Sequence, residues 1–539
     1  MSRKAHPISR RTFLVGLGCA AAAARRARAA DTAPGKTRPN ILFAVADDAS
    51  FPHLGAYGCT WVKTPGFDYV AQNGILFNNA YTPNAKCGPS RSCLLTGRNS
   101  WQLEAAANHW CWFPSKFKVY TEVLGEHGYH VGFTGKGWAP GKSLDAFGKP
   151  RNMTGKPYQK RTLTPPTRGI SGRDYAAGFE DFLDEKPAGT PFCFWYGGFE
   201  PHRPYEYGTG AALGGKDPQQ IEEVPACWPD SETTRNDMLD YAFEIEHFDQ
   251  HLCRMLDVLK ERGELENTLI VVTADNGMPF PRVKGQTYHP SNHLPLAIMW
   301  PAGIDGPGRE EDTFVSFTDL APTYLDLAGI SWEESGMAPP EGKSLRHVLS
   351  SVKHASHRDH MLIGKERHDI GRPNDRGYPV RGLVTTDWLY IENFKPERWP
   401  SGDPETGYLN CDGSPTKTAI LAMGRSGVDT RYWQQAFGKR PSEELFDLRG
   451  DPYCLNNLAT RGQFRAVKKR LLEQMTRELT EQEDPRILGH GDVFDEYPYA
   501  AEQFQDYYGK YMRGGAAPEA KWVNEGDFET RETTGERVD

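Results

Sequence analysis

Ile41-Leu42-Phe43-Ala44-Val45-Ala46 is a continuous apolar run, and Asp47-Asp48 follows it at once. Six apolar residues without polar alternation predict a β-strand that is buried on both faces, as in the sheets of α/β proteins. Similar runs recur at residues 131–134, 192–196, 269–274 and 296–300. Several end in polar residues or Gly-rich turns, which is where α/β folds place their ligands. The sequence therefore predicts an α/β sheet with carboxylates at the ends of its strands.

Amphipathic helices are expected between these strands. Residues 237–262 carry apolar side chains at intervals of three and four, namely Tyr241, Ile245, Phe248, Leu252, Leu256 and Leu259. Residues 318–328 predict a second helix, which begins at Thr318-Asp319 and ends before Gly329. Alternating strands and helices predict an α/β domain over residues 39–375.

The chain changes in character after this domain. Residues 378–384, 388–391 and 444–448 are short strand candidates, and residues 463–479 predict a helix. We therefore expect a small α+β domain over residues 376–511. Residues 512–539 are rich in Gly, Glu and Thr with little apolar content, which predicts a mobile tail.

Residues 1–30 have the order of an export signal. Arg10-Arg11 precedes an apolar stretch over residues 13–24, and Ala27-Arg28-Ala29-Ala30 forms a small-residue cleavage site. The segment resembles a twin-arginine (Tat) signal peptide. Its apolar stretch is too short to span a bilayer comfortably. We expect export through the Tat machinery to the periplasm or the medium, with no transmembrane helix in the mature chain.

Composition and charge narrow the class of protein. The chain is 38% hydrophobic and 25% charged, as globular proteins are. Its formal charge is −8, and removal of residues 1–30, which hold seven basic residues and no acid, makes it −15. A mature chain with this net negative charge does not attract nucleic acid over its whole surface. An anionic substrate must therefore be recognised by local groups. Eight cysteines besides Cys19 and Cys87 permit disulfides after export, but their pairing is left open.

One short run carries most of the functional information. Cys87-Gly88-Pro89-Ser90-Arg91-Ser92-Cys93-Leu94-Leu95-Thr96-Gly97 resembles the signature of formylglycine-dependent sulfatases. In that family a maturation enzyme reads C-x-P-S-R with a following Leu-Thr-Gly and oxidises the cysteine to an aldehyde. The resemblance implies that Cys87 becomes a catalytic formylglycine and that Arg91 stabilises its hydrated diol. Without the motif, a single cysteine is more often a buried structural thiol.

The resemblance also implies a fold and a metal site. The fold is alkaline-phosphatase-like, with a large mixed sheet flanked by helices and a smaller C-terminal antiparallel sheet plus helix. Asp47, Asp48, Asp275 and Asn276 follow two apolar runs and offer hard oxygen ligands, which suit Ca²⁺ or Mg²⁺. Alone, such pairs are usually caps or turns. In the family they hold the cation together with an oxygen of the formylglycine, here Cys87, and we expect Ca²⁺ with Mg²⁺ as the alternative.

Residues 134–138, Thr-Gly-Lys-Gly-Trp, resemble the G-K-x-H element of the family, whose lysine and histidine contact sulfate and diol. Lys136 matches the lysine. Trp138 stands in place of the histidine, which leaves the proton-transfer partner of position 87 open. The sequence alone does not choose among His109, His127 and His130 as a replacement.

Two further basic residues follow from the resemblance. Residues 200–204, Glu-Pro-His-Arg-Pro, resemble the P-H-x-P loop of the family, which implies His202 as the general acid for the leaving group. The alternative is a turn histidine between prolines. Lys284 lies eight residues after Asn276 and is expected to hold a sulfate oxygen, with Arg282 as its rival.

Residues 274–281, Ala-Asp-Asn-Gly-Met-Pro-Phe-Pro, look most like N-sulfoglucosamine sulfohydrolases, the heparan sulfamidases. We therefore expect an exported sulfatase that cleaves sulfate esters or sulfamates of sulfated glycans. Two alternatives remain open: a phosphonate or phosphodiester hydrolase of the same superfamily, and a catalytically impaired protein that binds sulfated glycans. His368, Arg372 and Trp399 are candidates for sugar specificity, and surface loops are the other interpretation of these three.

Overall fold

The computed structural model describes residues 38–352, 358–515 and 517–529. The expected export signal over residues 1–30 lies outside the described residues. Within these three ranges, no helix is long and apolar enough to cross a membrane.

The described residues form fifteen strands: β1 Asn40–Ala46, β2 Ile75–Tyr81, β3 Cys111–Phe113, β4 His130–Gly135, β5 Gly141–Ser143, β6 Lys156–Pro157, β7 Phe192–Gly197, β8 Thr268–Ala274, β9 His293–Met299, β10 Arg309–Glu311, β11 Val315–Ser316, β12 His360–Lys365, β13 Val380–Thr385, β14 Trp388–Asn393 and β15 Glu443–Asp447. The same part of the chain forms α-helices α1 Pro65–Gln72, α2 Cys87–Thr96, α3 Tyr120–Glu126, α4 Tyr175–Glu185, α5 Thr209–Ala212, α6 Glu232–Glu261, α7 His289–Asn292, α8 Leu320–Leu327, α9 Trp332–Ser335, α10 Arg346–Leu349, α11 Pro415–Ser426, α12 Arg431–Ala436, α13 Arg465–Glu481, α14 Val493–Glu496 and α15 Tyr507–Met512.

The large sheet is mixed and has the order β10-β2-β9-β8-β1-β7-β4-β6, with β11 also paired to β2. Strand β1 is parallel to both β8 and β7, whereas β9 is antiparallel to β8 and β2. The five strands predicted from apolar runs are confirmed as β1, β4, β7, β8 and β9. Strand β2 was not predicted, because Asn78 and Asn79 interrupt its apolar pattern.

Strand β1 is buried on both faces, as predicted. Ile41, Phe43 and Val45 pack into a core with α3 and α8, while Leu42 and Ala44 pack into a second core with α4 and α6. All five side chains are fully buried. Burial of one large apolar side chain contributes about 1.5–3 kcal/mol to the free energy of unfolding. This packing therefore holds β1 in place, together with the predicted acidic pair, Asp47-Asp48, that follows it.

The two predicted helices of the large domain are confirmed. Helix α6 begins at Glu232, five residues earlier than predicted, because the Ser231 side chain accepts a hydrogen bond from Thr234 N and caps the helix. The second helix begins as a 3₁₀ turn over Phe317–Asp319 and continues as α8.

The smaller sheet is antiparallel with the order β12-β13-β14-β15. Leu471, Met475 and Leu479 of α13 are spaced four residues apart and join the core on one face of this sheet. The structure confirms an α/β fold with a large mixed sheet and a C-terminal antiparallel sheet plus helix. Strand β12 belongs to the smaller sheet although it precedes residue 375, so the boundary between the two domains stays a prediction.

Residues 517–529 of the expected mobile tail contact the body of the protein, and residues 530–539 lie outside the described residues. Trp522 Nε1 donates a hydrogen bond to Leu409 O over 2.9 Å. Lys417 Nζ lies 3.0 Å from Asp527 Oδ2, and both side chains are fully buried. The low apolar content of residues 512–539 did not indicate this attachment, because one aromatic ring and one buried ion pair provide it.

No disulfide joins any of the nine cysteines in the described ranges.

Candidate active site

The ends of two neighbouring strands bring the predicted acidic residues together. The parallel register of β1 and β8 pairs Ala46 with Ala274, so the residues that follow each strand leave the sheet side by side. Asp275 N donates to Ala46 O, and Asp48 N donates to Asp275 Oδ1, both over 3.1 Å. Asp48 has a φ of 78°, in the left-handed region that aspartate tolerates better than most residues.

Cys87 is the first residue of α2 and joins the same group. Its Sγ lies 3.3 Å from Asp47 Oδ1 and 4.0 Å from Asp48 Oδ1. All ten residues of α2 are buried, which holds position 87 in place. A helix N-terminus favours negative charge, so an anion formed or bound at position 87 is stabilised by the backbone.

The predicted metal ligands form one cluster. Ligand atoms of Asp47, Asp48, Asp275 and Cys87 all lie within 4.8 Å of one another. Asn276 Nδ2 donates to Asp48 Oδ1 over 2.7 Å, while Asn276 Oδ1 is buried and has no hydrogen-bond partner among the described residues. A buried acceptor without a partner beside three carboxylates fits a hard cation with oxygen ligands.

Arg91 lies inside this cluster and is fully buried. Its Nε donates to Asp275 Oδ2 over 2.8 Å. One terminal nitrogen donates to the carbonyl oxygens of Lys136 and Gly137 over 2.7 and 2.8 Å. The other terminal nitrogen lies 3.8 Å from Asp47 Oδ1. Arg91 therefore connects α2 to the ends of both β4 and β8, as one turn of helix after position 87 allows.

Three predicted basic side chains converge on the acidic pair. Lys136 Nζ lies 2.6 Å from Asp47 Oδ2, and Lys284 Nζ lies 2.6 Å from Asp48 Oδ2. His202 Nε2 lies 3.9 Å from Asp48 Oδ2. Lys284 is buried, whereas the side chains of Lys136 and His202 are 10% and 33% exposed. The predicted metal ligands and the predicted sulfate-binding residues therefore lie close together. Asp47 and Lys284, the two that are farthest apart in sequence, are separated by 237 positions.

The charges fix the protonation of two central groups. Burial alone would raise the pKa of Asp47, but Lys136, His202 and Arg91 hold it well below its usual value. Burial, followed by the charge of Asp47, raises the pKa of the Cys87 thiol well above its usual value. Asp47 is therefore ionised and the Cys87 thiol is protonated at neutral pH.

Arg282 is not the rival of Lys284 that the sequence allowed. Its guanidinium donates to the carbonyl oxygens of Gln435 and Cys454 and lies 3.9 Å from the centre of the Tyr288 ring. These contacts hold the Arg282 guanidinium against the C-terminal part of the chain. Lys284 alone of the two reaches the acidic pair.

The candidates for sugar specificity were wrong. His368 is fully buried, and its Nε2 lies 2.6 Å from Asn84 Oδ1. Arg372 is buried and donates to Trp399 O over 2.8 Å. Trp399 is 9% exposed. These polar residues hold loops together inside the protein, so the surface-loop interpretation fails as well.

Trp138 contacts helix α2 and strand β3 and supports the wall of the site. Its Nε1 donates to Ser92 Oγ over 2.9 Å, and its ring packs edge-on against Phe113 at a centroid distance of 5.4 Å. The indole N–H supports α2 through this hydrogen bond. It is a donor only and does not ionise near neutral pH, so Trp138 does not act as a general acid or base.

A cleft of about 660 Å³ opens over the cluster and is lined by Asp47, Cys87, Lys136, His202 and Lys284. The lining also contains Lys86, which directly precedes Cys87, and His109, which the sequence left open beside His127 and His130. Five further lining residues were not predicted, and they are Trp110, Arg173, Asp369, Asp412 and Trp522. These five belong to no motif, and only the fold brings them to the cleft.

Comparisons with known proteins identify the family of this chain. The family model described as Sulfatase matches residues 39–330. An ulvan-active sulfatase of Formosa agariphila is 27% identical over 493 residues, which cover 87% of this chain and 88% of the relative. The human N-sulphoglucosamine sulphohydrolase is 25% identical over 491 residues, covering 86% and 94% of the two chains.

A solved structure of a protein in complex with its substrate, D-glucosamine-2-N,6-O-disulfate, superposes with a TM-score of 0.58 at 19% identity, and the match covers 83% of this chain and 98% of the other. That similarity supports the fold. The family match spans more than half of the sequence and includes both strand ends, position 87 and the loops of Lys136, His202 and Lys284. The chain therefore belongs to the sulfatase family of sulfuric ester hydrolases.

Proposed function

We propose that this sulfatase hydrolyses sulfate esters or sulfamates of sulfated glycans by means of a formylglycine made from Cys87. The convergence of Cys87, the acidic pair and the two lysines in one cleft carries this proposal. The names of the two curated relatives, an ulvan-active sulfatase and an N-sulphoglucosamine sulphohydrolase, support a sulfated carbohydrate as substrate.

The environment of Cys87 argues against a thiolate nucleophile. Burial and the charge of Asp47 keep the thiol protonated, and a protonated thiol attacks poorly. In the proposed enzyme a maturation enzyme converts the side chain to an aldehyde, and the hydrated aldehyde carries two hydroxyls. The Cys87 Sγ then marks the place of one of those oxygens, 3.3 Å from Asp47 Oδ1.

The basic residues divide the work of binding and proton transfer. Lys136 and Lys284 would hold the sulfuryl oxygens as point charges. One hydroxyl at position 87 attacks sulfur and passes its proton to the Asp47 carboxylate, whose Oδ1 lies 3.3 Å from Cys87 Sγ. The bond from sulfur to the sugar oxygen or nitrogen breaks in the same step. The imidazolium form of His202 gives its Nε2 proton to that leaving atom, while its Nδ1–H donates to Arg203 O over 2.6 Å.

A cation completes the site in this proposal. Asp47, Asp48, Asp275 and Asn276 would hold it with an oxygen at position 87, and we expect Ca²⁺ with Mg²⁺ as the alternative. When bound, it supplies charge that polarises the sulfate. Arg91 stabilises the diol from the protein side, since its guanidinium joins Asp275 to the end of β4.

The proposal includes the route out of the cell. The Arg10-Arg11 pair and the apolar stretch over residues 13–24 support Tat export. Tat cargo crosses the membrane folded, so maturation of Cys87 would precede export. Finding an unmodified Cys87 in the exported protein contradicts this order of events.

The decisive experiment is sulfate release from defined heparin disaccharides after coexpression with a maturation enzyme. We expect the wild-type protein to release sulfate and its peptide containing position 87 to carry the aldehyde mass. Cys87→Ala should lose turnover by about 10³-fold or more. Cys253→Ala, which removes a half-exposed cysteine from α6, should retain it.

Three outcomes contradict the proposal. An unmodified Cys87 thiol in fully active enzyme excludes the formylglycine mechanism. Faster turnover of phosphate than of sulfate aryl esters indicates a phosphonate or phosphodiester hydrolase. Glycan binding by matured protein without any sulfate release indicates a binding protein.

A further inference from the structure

His109 lies in the wall of the cleft that contains Cys87. Its Cδ2 atom, which neighbours Nε2 in the ring, lies 3.5 Å from the place that a Cβ atom on Gly88 would take. The imidazole therefore packs against the backbone of the residue that follows position 87. No sequence motif includes this histidine, so the sequence alone does not distinguish it from His127 and His130.

A carboxylate and a lysine orient the His109 ring. His109 Nδ1 lies 3.3 Å from Asp369 Oδ1, and Lys86 Nζ lies 2.8 Å from Asp369 Oδ2. All three residues are buried and line the cleft. An ionised carboxylate accepts the proton of Nδ1, which leaves the lone pair of the neutral ring on Nε2.

The Nε2 atom of His109 is buried and has no hydrogen-bond partner among the described residues. A buried polar atom without a partner is costly and uncommon. Burial also lowers the pKa of His109 to about 4, so the ring is neutral at pH 7. The imidazole that packs against Gly88 in the wall of the cleft is therefore oriented and neutral, and its Nε2 has a lone pair without a partner among the described residues.

The other two histidines that the sequence left open are directed elsewhere. His127 Nδ1 bonds to Val123 O of α3 over 2.8 Å. His130 stacks on the Phe182 ring at a centroid distance of 4.5 Å. His202 has the separate task of protonating the leaving group in the proposed function.

We propose that His109 is the base that removes the proton from the free hydroxyl of the sulfated diol at position 87, in place of the histidine that Trp138 replaces. The inference rests on the proposed formylglycine function. The proton passes to Nε2, and the O–H bonding pair becomes the second bond of the regenerated aldehyde. The carbon–oxygen bond to sulfate breaks, and its electron pair leaves with the sulfate. Water then hydrates the aldehyde and takes up the proton from His109. Asp369 and Lys86 act as positioning residues.

The test separates the first half of the reaction from the second with a chromogenic aryl sulfate. In matured His109→Ala and His109→Gln we expect a burst of about one equivalent of aryl alcohol. Steady-state turnover should then be roughly 10²- to 10⁴-fold below wild type. Mass spectrometry should find the peptide of position 87 carrying sulfate. The glutamine variant fills the space of the ring, and a burst of full size shows that either variant is folded.

Two further variants sharpen the test. Asp369→Asn should keep the burst and slow the second step less than His109→Ala does, because it misorients a base that is still present. His127→Ala removes a histidine outside the cleft and should behave as wild type. A structural role of His109 predicts that burst and turnover fall together.

The outcomes separate this inference from the proposed function. If the matured wild-type protein releases no sulfate, the proposed function fails and the role of His109 fails with it. If the wild type is active and both His109 variants turn over normally, only the role of His109 is overturned. Loss of the burst together with turnover, or absence of the sulfated peptide, also overturns it.

Discussion

Lys284 Nζ lies 2.8 Å from Asp412 Oδ2, across 128 residues of sequence. Burial alone would raise the pKa of Asp412, but Lys284 and Lys86 hold it well below its usual value. The carboxylate is therefore ionised, and it holds the ammonium group together with Asp48, to which Lys284 Nζ also donates. A segment far from every recognised motif thus positions one of the two proposed sulfate-binding lysines.

Replacing Asp412 by asparagine should weaken the position of Lys284. The variant keeps the shape of the side chain and loses a charge-assisted hydrogen bond. We expect kcat/KM for an aryl sulfate to fall roughly 10- to 100-fold, because such bonds contribute about 1.5–3 kcal/mol. Steady-state kinetics measure this change. Asp429→Asn, at an exposed ion pair with Arg431, should leave kcat/KM unchanged, and an equal loss in both variants would refute the role of Asp412.

Much of the fold and of the acidic cluster was predictable, because local sequence indicated the strands and the family resemblance indicated the residues that follow them. Apolar runs identified β1 and β8, and the parallel register of these strands made Asp47 and Asp275 neighbours. The position of Arg91 followed from one helical turn after Cys87. In these places strand burial and helical periodicity act over a few residues.

The rest depended on contacts between distant segments. Asp412, Trp522 and His109 reach the cleft through loops whose local sequence resembles that of any polar loop. Strand β2 was not predicted from the sequence, because Asn78 and Asn79 interrupt its apolar pattern. Its pairing with β9 nevertheless holds it in the sheet. The burial of His368 likewise follows from tertiary packing that no local pattern reveals.

Calcium binding should depend on the unpartnered oxygen of Asn276. Asn276→Ala removes one proposed oxygen ligand and leaves the three carboxylates in place. We expect Ca²⁺ to raise the Tm of chelator-treated wild-type protein, since a ligand that binds only the folded state stabilises it. In the variant the affinity should fall roughly 10- to 100-fold.

Calorimetric titration with Ca²⁺ and with Mg²⁺ measures both affinities and decides between the two cations. Asn79→Ala, whose side chain bonds to Asp312 O at the surface, serves as the matched control. Equal Ca²⁺ affinity in wild type and Asn276→Ala would remove Asn276 from the ligand set.

Glu244 should make stability depend on pH. Burial, followed by the charge of Glu200, raises the pKa of Glu244 to about 9, and its Oε2 is buried without a partner among the described residues. Between its unfolded pKa near 4.5 and about 9, the folded protein holds a proton that the unfolded chain releases. Stability therefore falls as pH rises through this range, by up to about 1.4 kcal/mol per pH unit.

Glu244→Gln cannot ionise and should lose this contribution. The free energy of unfolding of the variant, relative to wild type, should rise steadily from pH 5 to about pH 8 in urea titrations. Glu261→Gln, at the exposed end of the same helix, should follow the wild type. A constant difference between Glu244→Gln and wild type would show that Glu244 is ionised throughout.

Trp522 should distinguish a sugar substrate from a small aryl sulfate. Trp522 lines the cleft, and its Nε1 donates to Leu409 O over 2.9 Å, so we expect its ring to pack against a sugar ring bound in the cleft. For Trp522→Ala we expect KM for a sulfated disaccharide to rise roughly tenfold, the scale of one lost aromatic contact. KM for an aryl sulfate should change less than about twofold, because that substrate carries no sugar ring. Phe147→Ala, which removes a ring that is 88% exposed, should change neither value. A parallel rise of KM for both substrates would mean that Trp522 supports the fold of the cleft and does not contact the sugar.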